Sequence, residues 1–302
     1  MRIGGIKKWV GCTGMPGRHE PAPAALQVAA SGALPGIGAG EPAVRGRRWP
    51  LARIAAVEAL WGTGYTGPGS PAETMRLAKP MGLTKDATLL LLGGGLGGPA
   101  DAIGTALGAW VDSFEADPEL SAIAEQRRTT SHAAKHIKVQ DWDRANPGFK
   151  QKSANHALSL EAMRGAPPEP ILVSMAGALR PHGHIVITEL VTDVPAPPQD
   201  REFAAWCRLE NREPQLPPAA AVTKLLTRLR FDVRVVEDLS DRHVTATLGG
   251  WRAAVKAMEA GPRPDPAAAG VFVTEAELWL LRIRLMRRLG LRLLRWHAIG
   301  SA

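Results

Sequence analysis

Cysteine is scarce: the 302 residues include only Cys12 and Cys207, far apart and outside any metal-ligand spacing. A disulfide scaffold and a structural zinc site are therefore excluded, and a reducing compartment is the simpler expectation. Long apolar runs are missing too. Leu89–Leu92 falls far short of the roughly 20 apolar residues a membrane span requires, and the opening "MRIGGIKKWVGCTGMPG" has basic residues with no continuous apolar segment behind them. It does not read as a secretory signal, and the expected location is cytoplasmic. Aromatic residues make up 5% of the chain, with a single tyrosine, Tyr65. They are not interleaved with the arginines as a single-strand nucleic-acid platform needs, so no nucleic-acid partner is expected despite a net charge of +8. His182 and His184 flank Gly183 without a third ligand nearby, so no metal site is expected.

With 45% hydrophobic residues the chain can bury a large core. Residues 1–46 are rich in Pro, Gly and Ala without a sustained period and read as a flexible leader. Residues 47–302 read as one domain. Leu51, Ile54, Val57 and Leu60 form an apolar helical stripe that "GTGYTGPGS" breaks. From Ala87 onward, strands (87–92, 109–117, 136–143, 153–163, and one after "RPHG") alternate with helices (99–107, 121–135 and "PEPILVSMAGAL"). That rhythm predicts an α/β fold: a doubly wound, Rossmann-like parallel sheet covered on both faces, preceded by a helical N-terminal segment.

After Val191 the pattern changes. Residues 192–218 carry six prolines and read as a lid insertion, with Phe203, Trp206, Arg208 and Arg212 suited to a partly apolar, anionic small molecule; Trp206 as a core anchor is the alternative. A helix and a strand follow, then helices over 251–289 and a closing strand. In the tail, about 274–299, Leu278, Leu281, Leu285 and Leu289 line one helical face, and Arg282, Arg284, Arg287, Arg288, Arg292 and Arg295 decorate the rest. Such a basic amphipathic helix can lie on an anionic membrane surface or dock a protein partner; the plainer reading packs it on the sheet with its arginines in water. A homo-oligomer is open.

The stretch "LLLLGGGLGGPAD" holds the chemistry. Gly93, Gly95 and Gly98 keep G-x-G-x-x-G spacing at a strand-to-helix turn, and Glu115 lies about 20 residues on, where a carboxylate meets a ribose diol. Asp141, at the end of the third strand, suits an exocyclic amine of adenine. No second glycine fingerprint is present. In order along the chain, "ALWGTGYTGPGS", "LLLLGGGLGGPA", "FEADPEL", "VQDWD", "ALSLEAM" and "ALRPHGHIVITELV" resemble the S-adenosylmethionine-dependent methyltransferases of the seven-strand Rossmann-like type. The closer likeness is to small-molecule N-methyltransferases of the phosphoethanolamine and sarcosine kind. The resemblance implies that Gly93, Gly95 and Gly97 hold the amino-acid part of S-adenosyl-L-methionine and that Glu115 binds its ribose. It places Asp141 and Trp142 beside the adenine, Tyr65 over the cofactor, and Leu160 and Glu161 beside the methyl group and substrate. Two positions depart from the family: Leu91 stands where an acid usually precedes the glycines, and Asn155 replaces an acid near the fourth strand.

Methyl transfer from a sulfonium needs an oriented nucleophile and exclusion of water rather than a metal. The implied reaction is methyl transfer to a small-molecule nucleophile, an amine being expected, with Glu161 or His156 as the base. A water-facing Glu161 and a satisfied core His156 are the plain alternatives. The loss of acids at Leu91 and Asn155, with the basic tail, supports a second reading: a non-catalytic protein of the same fold acting as a binding or assembly partner.

Overall fold

The computed structural model describes residues 48–194, 200–261 and 264–301, so the leader expected at 1–46 lies outside the described residues. Four leucines in a row make a strand that is buried on both faces. This strand, β1 (Thr88–Leu92), lies in mid-sheet and is flanked by β2 (Trp110–Glu115) and β4 (His156–Leu160), with β3 (Ile137–Asp141) outside β2. Beyond β4 come β5 (His184–Val191), β7 (Arg292–Gly300) and β6 (Phe231–Asp238), giving the order β3-β2-β1-β4-β5-β7-β6. Strands β1 to β5 pair in parallel, whereas β7 runs antiparallel to both β5 and β6. The doubly wound α/β expectation holds, completed by an antiparallel last strand.

Side chains alternate across the sheet, so Leu89 and Leu91 enter one core and Leu90 and Leu92 the other. The first core takes Ile103 from α3 (Gly98–Leu107), Trp206 from α6 (Arg201–Glu210) and Leu285 from α9 (Pro266–Leu289). The second takes Ile171 from α5 (Pro168–Ala178) and Val222 from α7 (Ala219–Arg228). A third cluster joins α1 (Leu51–Trp61) to Leu120 of α4 (Pro118–Arg128), Ala254 of α8 (Ser240–Ala260) and Trp279 of α9. A short α2 (Pro71–Ala78), capped by Ser70 accepting the Glu73 N–H, covers the edge of the first core.

Several expectations are corrected. Helix α8 starts at Ser240 instead of 251, its Gly249-Gly250 pair having obscured the period. Gly250 belongs there because a side chain would strike the Trp61 ring and the Leu60 carbonyl of α1. Within the segment read as a lid, Phe203 and Trp206 are buried in the apolar core, so they anchor α6 instead of touching a ligand. The apolar face of α9 is covered from within, with Leu278, Leu281 and Leu285 buried, and it is not free for a membrane. Two of its exposed arginines are paired on the outside: Arg288 with Asp200 at 2.7 Å and Arg284 with Glu202 at 3.4 Å. Arg282, expected among the solvated ones, is buried. Asn155 sits before β4 at the opposite end of the sheet from the glycine turn, where its Oδ1 accepts the Thr88 N–H at 2.9 Å. Among the described residues no helix is long and apolar enough to cross a membrane.

Candidate active site

At the C-terminal ends of β1, β2 and β4 the sheet opens into a cavity of about 510 Å³, the place where open parallel sheets receive ligands. Its floor is the glycine turn. Gly93 takes φ +77°, and a side chain there would collide with the Leu160 carbonyl, so only glycine lets β1 and the end of β4 approach this closely. Glu115, the last residue of β2, is buried; its Oε2 accepts the Gly95 N–H at 2.9 Å and its Oε1 the Asp117 N–H at 3.1 Å. The carboxylate that braces the glycine turn thus comes from the neighbouring strand. Leu91 points into the first core and is not on the cavity wall.

Tyr65 lines the cavity and is fixed in place. Its ring lies against Gly98, where an added Cβ would be 2.7 Å from Cε2, and its hydroxyl is 3.1 Å from Thr74 Oγ1. Burial pushes the phenol up to about 12. Leu160 and Glu161 line the cavity at the end of β4. Glu161 adopts φ +45°, in the left-handed region that disfavours side chains, and its Oε2 accepts from Arg282 Nη2 at 2.7 Å. The same guanidinium donates from Nη1 to Glu210 Oε1 at 2.9 Å. One buried arginine of α9 therefore bridges the loop after β4 and the end of α6.

Four of the expected site residues lie off the cavity. Gly97 faces Ala124 of α4. Asp141 ends β3 exposed to water, beside Glu115 in register but outside the cavity lining. Trp142 turns away to pack on Phe149, with ring centroids 5.4 Å apart. In their place Arg144 lines the wall, its Nε donating to the Ala162 carbonyl at 2.7 Å; burial, with the like charge of Arg164, lowers its pKa. His156 begins β4 at the far end of the sheet, where its Nδ1 accepts the His184 N–H at 3.1 Å. Burial and the neighbouring His184 push its imidazole down to about 4. It is a structural acceptor, too far along the strand to act as a base in the cavity. Among the described residues no group of side chains is arranged to hold a metal.

Sequence reasoning missed Arg144, Glu210, His243, Trp279 and Arg282, all of which line the cavity. For Arg282 a signal existed: it falls four residues after Leu278 and three before Leu285, inside the apolar stripe of its helix. For His243 the same holds, with buried Thr247 and Ala254 following on its face of α8.

The strand order, with an antiparallel β7 between β5 and β6 and a glycine turn after β1, is that of the Rossmann-like S-adenosylmethionine-dependent methyltransferases, and the chain has this fold. No protein-family model matches the chain, and no curated protein matches it significantly by sequence. Among solved structures, it is similar to phosphoethanolamine N-methyltransferase 2 of Haemonchus contortus in complex with phosphomonomethylethanolamine and S-adenosylhomocysteine. That likeness has a TM-score of 0.70 at 17% identity and covers 82% of this chain. The chain spans only 57% of that longer protein. It is also similar to the [4+2]-cyclase SpnF (TM-score 0.64, 13% identity, 83% of this chain and 95% of that one). A third likeness is to geranyl diphosphate C-methyltransferase of Streptomyces coelicolor A3(2), at TM-score 0.57 and 13% identity, covering 76% of this chain and 80% of that one.

Proposed function

We propose that this protein transfers a methyl group from S-adenosyl-L-methionine to a small-molecule nucleophile. The observation that carries the reading is the meeting, in one cavity, of the Gly93–Gly95 turn and the buried Glu115 carboxylate. Each Glu115 oxygen accepts one backbone N–H and keeps lone pairs for a ribose diol. The close approach of Gly93 to Leu160 brings backbone to the place where the amino-acid part of the cofactor would rest. Tyr65 supplies an immobile ring beside it. The bound cofactor would supply an electrophilic methyl group on a sulfonium. The chain's part is to exclude water and to hold the nucleophile in line, which is where most of the rate gain of such a reaction originates.

The acceptor is the finer question, since the names of the three solved proteins specify an N-methyltransferase, a C-methyltransferase and a cyclase. The resemblance in the sequence points to an amine, with Glu161 on the cavity wall where the acceptor would stand, but these three names agree on no single acceptor atom. The non-catalytic alternative rests on the basic tail and on the residues Leu91 and Asn155. Neither lines the cavity, so neither substitution removes a charge from its wall.

Calorimetry with S-adenosylhomocysteine tests the reading. The parent chain should bind it, and Glu115→Ala should weaken binding by about 1.5–3 kcal/mol, the worth of a hydrogen bond to a charged group, or roughly tenfold to a hundredfold. Absence of binding at millimolar ligand would overturn the proposal.

A further inference from the structure

The arginines that line the cavity pair off with acids, save one. Arg48, Arg53, Arg76, Arg164, Arg242 and Arg282 each stand within 4.0 Å of a carboxylate. Arg144, on the loop after β3, has no carboxylate that close among the described residues. Its Nε donates to the Ala162 carbonyl at 2.7 Å, which fixes the plane of the guanidinium. The Trp142 ring, 5.9 Å from the guanidinium, adds a second support without taking up a donor. Nη1 and Nη2 have no hydrogen-bond partner among the described residues, and neither is cut off from solvent. A half-buried arginine with a fixed plane and an unused, accessible edge is organised in advance for an oxyanion.

A second cation stands near it. Arg164, two residues beyond Ala162, lines the same cavity, and after burial its like charge is what lowers the Arg144 pKa, against the pull of Glu115, Glu189 and Asp117. Its own acid is loosely held: Glu210 Oε1 lies 4.0 Å away, and that carboxyl group is already met by Arg282 at 2.9 Å and Arg212 at 3.5 Å. Arg164 Nη1 is fixed instead by the Glu210 main-chain carbonyl at 2.9 Å. Its backbone holds φ +48°, a strained conformation of the kind kept at ligand sites. Glu115 cannot serve these cations, because its oxygens accept the Gly95 and Asp117 N–H groups and, in the reading above, a ribose. Two guanidinium groups tied to carbonyls repel each other in a half-buried space, and an anion between them relieves both the repulsion and the cost of burial. Both belong to or are anchored on the loop after β4, where the acceptor would stand.

We propose that Arg144, with Arg164 beside it, forms an oxyanion subsite in this cavity, and that the methyl acceptor is a small molecule whose carboxylate or phosphate group docks there. The proposal rests on the methyltransferase reading above and names the chemical class of its acceptor. The anionic group is a handle and not the methylated atom. The free edge of Arg144 donates two N–H bonds to two of its oxygens. That contact fixes where the rest of the acceptor points, which is the contribution positioning makes to such a reaction. Carboxylate and phosphate share this chemistry, and the third oxygen of a phosphate can reach a second guanidinium as well. The docked anion also offsets the positive charge that a sulfonium brings into the cavity. Arg144 is thereby the residue that selects an anionic acceptor over a neutral or cationic one.

Phenyl phosphate, benzoate and benzylamine carry one ring and different head groups, and their affinities are read by calorimetry on the full chain saturated with S-adenosylhomocysteine. Arg144→Gln keeps a donor for the Ala162 carbonyl while removing the charge, and Arg144→Lys keeps the charge without the fork. We expect the parent to bind an anionic probe more tightly than benzylamine. Arg144→Gln should weaken the better anion by roughly tenfold or more while S-adenosylhomocysteine affinity stays within about twofold, and Arg144→Lys should fall between. Tighter phenyl phosphate assigns a phosphate and tighter benzoate a carboxylate; either supports the subsite. Should Arg144→Gln fail to fold, the order of the probes on the parent and the loss in Arg144→Lys decide. Tightest binding of benzylamine overturns the proposal, as does binding of none of the three or an anion affinity unchanged in Arg144→Gln. So does an equal loss of S-adenosylhomocysteine affinity, which would make Arg144 a partner of the cofactor's own carboxylate. If the parent binds no S-adenosylhomocysteine, the methyltransferase reading fails as a distinct result. The same anions on the unliganded chain then decide the subsite alone: binding that depends on Arg144 keeps it, and no binding removes it.

Discussion

Leu91 is fully buried among Leu89, Ile103, Leu158 and Val186, and the glycine turn it precedes is braced by Glu115 instead. Leu91→Asp would put an unpartnered carboxyl group into apolar surroundings. The expected loss is on the order of 3–5 kcal/mol, read from denaturant or thermal melting, with no gain in S-adenosylhomocysteine affinity. Tighter binding in that variant would mean the turn needs a second acid. Glu189 is the opposite case, a native carboxyl group deep in β5. Burial pushes it up to about 7 from an ordinary 4.5, with Arg212 pulling down and Glu161 pushing up. Its oxygens accept the N–H groups of Met163 at 3.0 Å and Leu190 at 3.2 Å. The folded chain therefore binds more protons than the unfolded chain between those two values, and stability falls as pH rises through that window. Glu189→Gln removes this titration, so the melting temperature of the variant relative to the parent should rise from pH 5 to pH 8. A pH-independent difference would show that Arg212 keeps Glu189 ionised throughout.

Helix α9 is the element through which the cavity is tied together, and its working residue is the one that breaks its apolar stripe. Arg282→Met would leave Glu161 without its cation and Glu210 with only the longer pairings to Arg212 at 3.5 Å and Arg164 at 4.0 Å. Breaking a buried pair in this way costs about 3–5 kcal/mol, and Arg282→Met/Glu210→Gln should recover part of the loss; chemical denaturation of the two variants distinguishes them. Equal stabilities would mean that the bridge contributes little beyond packing. Elements of this kind were only half legible in the amino-acid order. The apolar periodicity of α9 was plain, and so was its termination before a closing strand. What could not be read was that its stripe meets α1 and α6 of the same chain, since a sequence does not say which surface covers an amphipathic face. The segment holding Trp206 misled for a similar reason: prolines and polar residues on either side suggested a cover, yet its two aromatics find the core.

At the scale of the whole chain, the succession of the first five strands and the glycine-turn side of the cavity were legible because their signals are local. A glycine turn directly after an apolar strand, and an acid at the end of the next, mark Gly93, Gly95 and Glu115 within about two dozen residues. The other side of the cavity was hidden because it is assembled over long separations, Glu161 meeting Arg282 across 121 positions. The same remoteness governs how the sheet comes into being. Strand β5 takes its second neighbour from roughly a hundred residues downstream, and β6 pairs with β7 alone. As the chain emerges during synthesis, β1 to β5 can assemble first, leaving the backbone edge of β5 unpaired and β6 with nothing to join. A bare edge on a strand as apolar as "HIVITELV" is a template for mispairing with other chains. Closing so large a loop is also slow. Until β7 has been made that edge stays open, and it is closed only when β7 slots between the two waiting strands.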